Sequence, residues 1–221
     1  MAEKFDSIVT LTEEDKLYLI NLGYGKEISV IPPQINIVKN VDISKKPNTI
    51  CFIGSYNREP NSRAVEVLIN DIYKNIDFPV ELNIAGKNLS KHFQKEIYNT
   101  EGINYLGFVE DIDEFIKSQM LMVAPIQLGA GLKMKIPHSL ANGTPVITTP
   151  IGAEGIDISS ENGLWVCNEI ELMVNKINSL LQTQNLLIEK GKAGQDAVKK
   201  LFSEEVVLLK FEKLYSQLVK Q

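Results

Sequence analysis

Short apolar runs alternate with amphipathic stretches along almost the whole chain, and glycine or proline closes nearly every one. This alternation restricts the fold more than any other feature. Strands that take turns with helices cannot pair as hairpins, so they form a parallel sheet with helices covering both faces. Strands are expected at residues 7–11, 27–31, 49–53, 80–85, 103–106, 121–126, 146–149 and 164–167. Thr12-Glu13-Glu14-Asp15 is a capping signature for a helix reaching about residue 22. Pro60-Asn61-Ser62 opens a helix whose apolar face is Ala64, Val67, Leu68 and Ile72. Shorter helices are expected at 90–98, 111–118 and 137–142, and three more close the chain at 168–181, 185–202 and 203–219. Residues 36–48 are mostly polar and read as a linker.

With 221 residues the chain holds one large domain, or one and a half small ones. A net charge of −5 and the lack of a strongly basic stretch argue against non-specific nucleic-acid binding. Lys45-Lys46 and Lys199-Lys200 read as solvated charge. Cys51 and Cys167 sit in apolar runs and read as buried free thiols of a reducing compartment. Their spacing fits no metal motif, and His92 and His138 are too few for a histidine site. The polar start, residues 1–6, does not have the pattern of a signal peptide. No apolar run approaches the ~20 residues that span a bilayer. A cytoplasmic protein is expected.

The most informative segment is Gly129-Ala130-Gly131-Leu132-Lys133-Met134-Lys135. It follows an apolar strand and leads into a helix stopped by Gly143, before the strand around Val146 and Ile147. Glycines let backbone N–H groups approach a ligand closely, and a helix start presents unpaired donors to an anion. Lys133 and Lys135 add positive charge there, a combination suited to a diphosphate. The segment matches neither the P-loop nor the dinucleotide fingerprint, so a tight turn with two solvated lysines is the competing reading. Ligands of open α/β sheets bind outside the carboxyl ends of the strands. Gly54-Ser55, Gly86, Gly129 to Gly131 and Gly152 to Gly155 are all expected along that edge.

Several stretches, in this order, resemble the group-1 (family-four) retaining glycosyltransferases of the GT-B fold. They are Phe52-Ile53-Gly54-Ser55 with Glu59-Pro60-Asn61, Leu106-Gly107-Phe108-Val109 with Asp111, and Val123-Ala124-Pro125. The glycine-lysine segment, Ala141-Asn142-Gly143-Thr144-Pro145-Val146-Ile147 and Thr149-Pro150-Ile151-Gly152-Ala153-Glu154-Gly155 follow. The resemblance covers roughly residue 48 to the C-terminus and implies a Rossmann-like, nucleotide-sugar-binding C-terminal half. Residues 1–47 would be a remnant of the N-terminal acceptor domain plus a linker, 48–202 the donor-binding domain, and 203–221 a cross-over helix.

The resemblance further implies a donor that is a nucleotide-diphosphate sugar and an acceptor that is a glycan or lipid-linked molecule, in polysaccharide biosynthesis. No metal or other cofactor is expected. A separate N-terminal acceptor domain is a further candidate partner. A cytoplasmic site is implied, with peripheral placement at the inner membrane face as the alternative for a full-length protein. Lys133, Lys135 and Glu154 are the catalytic candidates. Lys133 and Lys135 would stabilise the leaving diphosphate with the N–H groups of Gly131 and Leu132, and Glu154 would face the sugar. Gly54, Ser55 and Arg58 are candidates on the facing loop, and Phe108 and Val109 for the nucleobase. The family usually carries a glutamate on each side of the glycine loop, where this chain has Ala130 and His138. A neutral imidazole at the ribose-holding position matches a carboxylate incompletely. Two alternatives follow: a degenerate, non-catalytic module that binds a partner chain or nucleotide, and another sugar-nucleotide enzyme such as an epimerase. The missing dinucleotide fingerprint argues against the latter.

Overall fold

The computed structural model describes residues 5–37 and 45–219. Residues 38–44 of the expected linker, and 1–4 of the polar start, lie outside the described residues. Eight strands and eight α-helices are described. Strand β1 (Ile8–Thr10), helix α1 (Glu13–Asn21) and strand β2 (Ile28–Val30) form a small parallel unit of their own. The Thr12 side chain accepts from the Asp15 N–H, as the capping signature predicts.

The remaining strands are β3 (Thr49–Ile53), β4 (Glu81–Ala85), β5 (Ile103–Gly107), β6 (Leu121–Ala124), β7 (Val146–Thr148) and β8 (Leu164–Val166). They build one parallel sheet in the order β5-β4-β3-β6-β7-β8. This is the doubly wound, Rossmann-like arrangement, and its strand order reverses between β3 and β6. Every residue of β3 and of β6 is buried, which explains why both read as unbroken apolar runs rather than alternating ones. Connecting helices are α2 (Glu59–Val67), α3 (Lys91–Tyr98), α4 (Ile112–Lys117) and α5 (Lys135–Ala141). Helices α6 (Ile170–Leu181), α7 (Gln184–Phe202) and α8 (Glu204–Leu218) close the chain.

The α2 apolar face runs on past the helix through a π-helical turn, Leu68–Ile72, and a 3-10 turn, Tyr73–Asn75. Two glycines carry close approaches. A Cβ on Gly86, at φ +132°, would stand 1.7 Å from the Gly54 carbonyl oxygen, so the loops after β3 and β4 touch there through bare backbone. A Cβ on Gly191 of α7 would stand 2.1 Å from the Gly143 carbonyl oxygen behind α5.

Two expectations need correction. Helix α5 starts at Lys135, not Pro137. The Ile136 N–H donates to the Lys133 carbonyl at 2.9 Å and the His138 N–H to Met134 at 3.0 Å, while Pro137 has no N–H to lose in a first turn. Lys45 is not solvated charge: Nζ donates to the carbonyls of Lys117 (3.1 Å) and Gln119 (2.9 Å) and to Thr144 Oγ1 (2.8 Å). Burial lowers its pKa to about 8, against the opposing pull of Cys51. Lys199 and Lys200 are exposed, and Cys51 and Cys167 are buried free thiols.

Candidate functional site

The carboxyl ends of β3, β4 and β5 and the start of α5 enclose a cleft of about 940 Å³ beside the switch point. Gly54, Ser55 and Arg58 line it from the loop after β3, Phe108 and Val109 from the loop after β5, and Lys135 and His138 from α5. Seven residues singled out in the sequence therefore meet in one cavity.

Lys135 is its buried cation. Nζ is 2.5 Å from Asn61 Oδ1 and 4.3 Å from the centre of the Phe52 ring. It has no carboxylate partner within ion-pair distance among the described residues. Burial, and then the nearby Arg58, bring its pKa down to about 7. Asn61 also donates to the Ser55 carbonyl at 2.9 Å, so one amide ties the lysine to the loop after β3. Its contact with Lys135 is missed in the sequence, where Asn61 reads as part of a helix start and of the stretch that carries the resemblance. Phe108 is exposed at the rim, with Lys87 Nζ 4.0 Å from its ring centre. Lys87, likewise missed, lines the same cleft.

Lys133, Gly131, Leu132 and Glu154 are not among the residues lining this cleft. Lys133 Nζ donates to Glu154 Oε2 at 2.8 Å and to the carbonyls of Gly131 (2.7 Å) and Gly129 (3.1 Å). The Gly131 N–H also bonds Glu154, and Leu132 packs against the main core. The Lys133 hydrogen bond first, opposed by burial and aided by Gly131, holds the Glu154 carboxyl below the usual glutamate value. The glycine loop thus satisfies its cation internally, with a carboxylate where an anionic ligand was expected. Glu154 lines a second pocket of about 590 Å³, shared with Thr12, Glu13 and Lys210. The expected donors at the start of α5 are also few: the Ile136 N–H is already bonded, Pro137 has none, and the helix has seven residues.

At the other side of the cleft, His138 Nε2 lies 2.7 Å from Asp113 Oδ1, which also accepts from Asn142 Nδ2 at 2.8 Å. Burial disfavours ionising Asp113, but the hydrogen bonds from Asn142 and His138 outweigh it and its pKa is lowered. No cluster of three or more His, Cys, Asp or Glu suited to a metal occurs among the described residues. Among them no helix is long and apolar enough to cross a membrane.

Comparison with known proteins agrees with this architecture. The chain superposes on S. aureus TarM with a TM-score of 0.84 at 20% identity, covering 97% of this chain and 44% of TarM. The pneumococcal O-GlcNAc transferase GtfA, solved with UDP and GlcNAc, gives 0.80 at 15% identity, covering 100% of this chain and 46% of GtfA. Anabaena HepE, solved with UDP and glucose, gives 0.76 at 16% identity, covering 98% and 64%. The chain thus spans less than two thirds of the length of each. At these identities the likeness shows a shared fold. No curated protein sequence matches the chain significantly. The family model for group 1 glycosyl transferases matches residues 47–183, and the chain belongs to that family.

Proposed function

We propose that this chain is the donor-binding half of a retaining glycosyltransferase, taking a nucleoside-diphosphate sugar and serving transfer to a glycan or lipid-linked acceptor. The observation that carries this reading is Lys135 together with Arg58 among the cations of the cleft. Lys135 and Arg58 line it without a carboxylate partner among the described residues, beside the glycine loop at the switch point. Such a place fits a diphosphate and stabilises the charge that develops on it as a leaving group. Phe108 offers a face for the base. On this reading residues 1–47 are a remnant of an acceptor domain plus a linker, 48–202 the donor domain and 203–221 the cross-over helix. The relatives solved with UDP make UDP the first probe.

The test is calorimetric titration with UDP, GDP and ADP. Lys135→Ala is expected to weaken the preferred nucleotide by about 1–3 kcal/mol, the range of a charge-assisted hydrogen bond. Equal affinity in wild type and variant refutes the assignment of Lys135.

One observation favours a non-catalytic module instead. Lys133 and Glu154, two of the three catalytic candidates, neutralise each other at 2.8 Å. That reading predicts nucleotide binding without any donor hydrolysis, measured as release of free nucleoside diphosphate from the nucleotide sugar.

A further inference from the structure

Lys133 stands at the border of the cleft without facing it. Met134 and Lys135, the next two residues, line the cleft, while the Lys133 side chain turns back to the loop after β7. An ammonium has three N–H donors. All three are taken here, by Glu154 Oε2 at 2.8 Å, the Gly131 carbonyl at 2.7 Å and the Gly129 carbonyl at 3.1 Å. The Gly131 N–H bonds Glu154 as well. A cation and a loop N–H that converge on one carboxylate have the arrangement of an anion site, and a side chain of the same chain fills it.

The cavities on either side bias Lys133 the same way. The cleft carries Arg58, Lys87 and Lys135 against Glu110 and Asp113. The second pocket carries Glu13, Glu14, Glu154 and Asp157 against Lys210 alone. An empty cleft therefore repels the ammonium and the acidic pocket attracts it. A diphosphate reverses that balance, because its negative charge exceeds the small cationic excess of the cleft. The turn that carries Glu154 is fixed. The Gly152 N–H donates to Thr149 Oγ1 at 3.0 Å, and a Cβ on Gly155 would stand 2.4 Å from Thr12 Cγ2. Movement is left to the two long side chains. Lys133 needs only rotamer changes to leave Glu154, and the carboxylate it leaves behind already has access to solvent, at 27% exposure.

We infer that Glu154 is a built-in competitor for Lys133. It holds the lysine out of the cleft in the unliganded chain, and an anionic ligand recruits Lys133 only by displacing this carboxylate. The inference rests on the donor-site reading above and adds the contact that opposes binding. It gives the internally neutralised pair a role other than loss of catalysis. Apparent affinity is then scaled down by the fraction of molecules in which the lysine is free.

The experiment is calorimetric titration of UDP, GDP and ADP into the wild type, Glu154→Gln and Asp157→Asn. Glu154→Gln keeps the shape and an acceptor for Lys133 but removes the charge. Asp157→Asn removes a charge from the same pocket, at an exposed residue that makes no ion pair with Lys133. The preferred nucleotide is expected to bind Glu154→Gln at least about fivefold tighter than the wild type, the lower end of the range for one contact opposing another. Asp157→Asn is expected to stay within about twofold of the wild type, since solvent and salt screen an exposed charge. Where the wild type binds, unchanged or weaker binding to Glu154→Gln overturns the competitor and leaves the donor reading standing. Equal gains in the two variants overturn it too, because they reflect the field of the pocket rather than the contact. A wild type that binds none of the three, beside a Glu154→Gln that binds one, supports the competitor in its strongest form. No binding by any of the proteins overturns the donor reading and the competitor together. Melting temperatures show whether Glu154→Gln folds. If it does not, Glu154→Asp repeats the test, because it keeps the charge and withdraws it by one methylene. A gain of the same sign supports the competitor, and no gain overturns it.

Discussion

Lys135 sets the chemistry of the cleft at the scale of single residues. An ammonium buried without a carboxylate destabilises the fold, and the pKa of about 7 expresses that cost. The sign follows from linkage. The folded pKa lies below the unfolded lysine value, so the unfolded chain binds more protons between about pH 7 and the ordinary lysine range. Stability therefore rises with pH across that window. Lys135→Met, which keeps length and loses charge, is expected to raise the melting temperature at pH 7, by about 2–4 °C for each 1 kcal/mol gained. A lower melting temperature refutes the view that this lysine is kept at a cost to stability. The same residue makes ligand binding pH-dependent. A bound diphosphate raises the lysine pKa, so binding takes up a proton above pH 7 and affinity falls as pH rises from there. Calorimetry in two buffers of different ionisation enthalpy measures that uptake, and none at pH 8 contradicts the placement of a phosphate against Nζ. The sequence shows Lys135 and His138 as polar residues around a helix start. It cannot show Asn61 or Asp113 beside them, because both contacts are made across the chain, at separations of 74 and 25 positions.

Among elements, the two glycine loops after β6 and β7 behave as one piece. Lys133 from the first and Glu154 from the second close on each other, and the Gly131 N–H joins them. The Lys133 side chain is only 10% exposed, so its ion pair counts for more than a surface one. Glu154→Gln is expected to cost about 1–2 kcal/mol and to speed hydrogen exchange at Gly131. The Glu154 carboxyl is held below its ordinary pKa, so the wild type loses this contribution as pH falls through the acid range, and the variant has none to lose there. Identical acid unfolding of the two proteins contradicts the latch. A second element-scale prediction concerns helix packing. Glycine to alanine inside an exposed helix gains about 1 kcal/mol. At Gly191 the sign reverses, because the new Cβ lands 2.1 Å from the Gly143 carbonyl oxygen and α7 must move off α5. Gly191→Ala is expected to lose at least about 2 kcal/mol in denaturant unfolding, and a gain refutes the close approach. Much of this level is legible beforehand: strand β3 falls on its expected residues, the cap at Thr12 is read from the sequence, and the helices expected from residues 90 and 111 start one residue later, with Ser90 and Asp111 as their caps. The start of α5 is not, because Pro137 reads as a first residue when it is in fact the third.

Over the whole molecule, the last helix links the two ends of the chain. Val207 and Leu214 of α8 pack with Ile31 just after β2, Phe211 and Leu218 lie against them, and the Ile35 N–H donates to the Phe202 carbonyl at 2.9 Å. The β1–α1–β2 unit therefore rests on a small cluster apart from the main core. Helix α1 has no buried residue, and Leu17, Tyr18 and Leu22 are each more than half exposed. A two-stranded unit with so little apolar cover gains little stability by itself. Leu214→Ala is expected to raise hydrogen exchange throughout β1, α1 and β2 and to change nucleotide affinity far less, since the cleft is built mainly on the other sheet and only Gln34, Ile35 and Asn36 reach it from the segment after β2. A simultaneous loss of affinity shows instead that the two units act as one. The same division bears on activity. The cleft brings together side chains suited to a nucleotide, and the chain spans 44% of TarM and 46% of GtfA. Binding and chemistry should therefore separate: the 221 residues alone are expected to bind a nucleoside diphosphate and to transfer no measurable sugar. Transfer needs both reactants held in a near-attack arrangement, which donor affinity cannot replace. Release of nucleoside diphosphate from UDP-glucose or UDP-GlcNAc, measured with and without candidate acceptors, decides it. Release that depends on acceptor in this chain alone shows that the acceptor wall is already present, and the second pocket beside Glu154 then becomes the place to look for it.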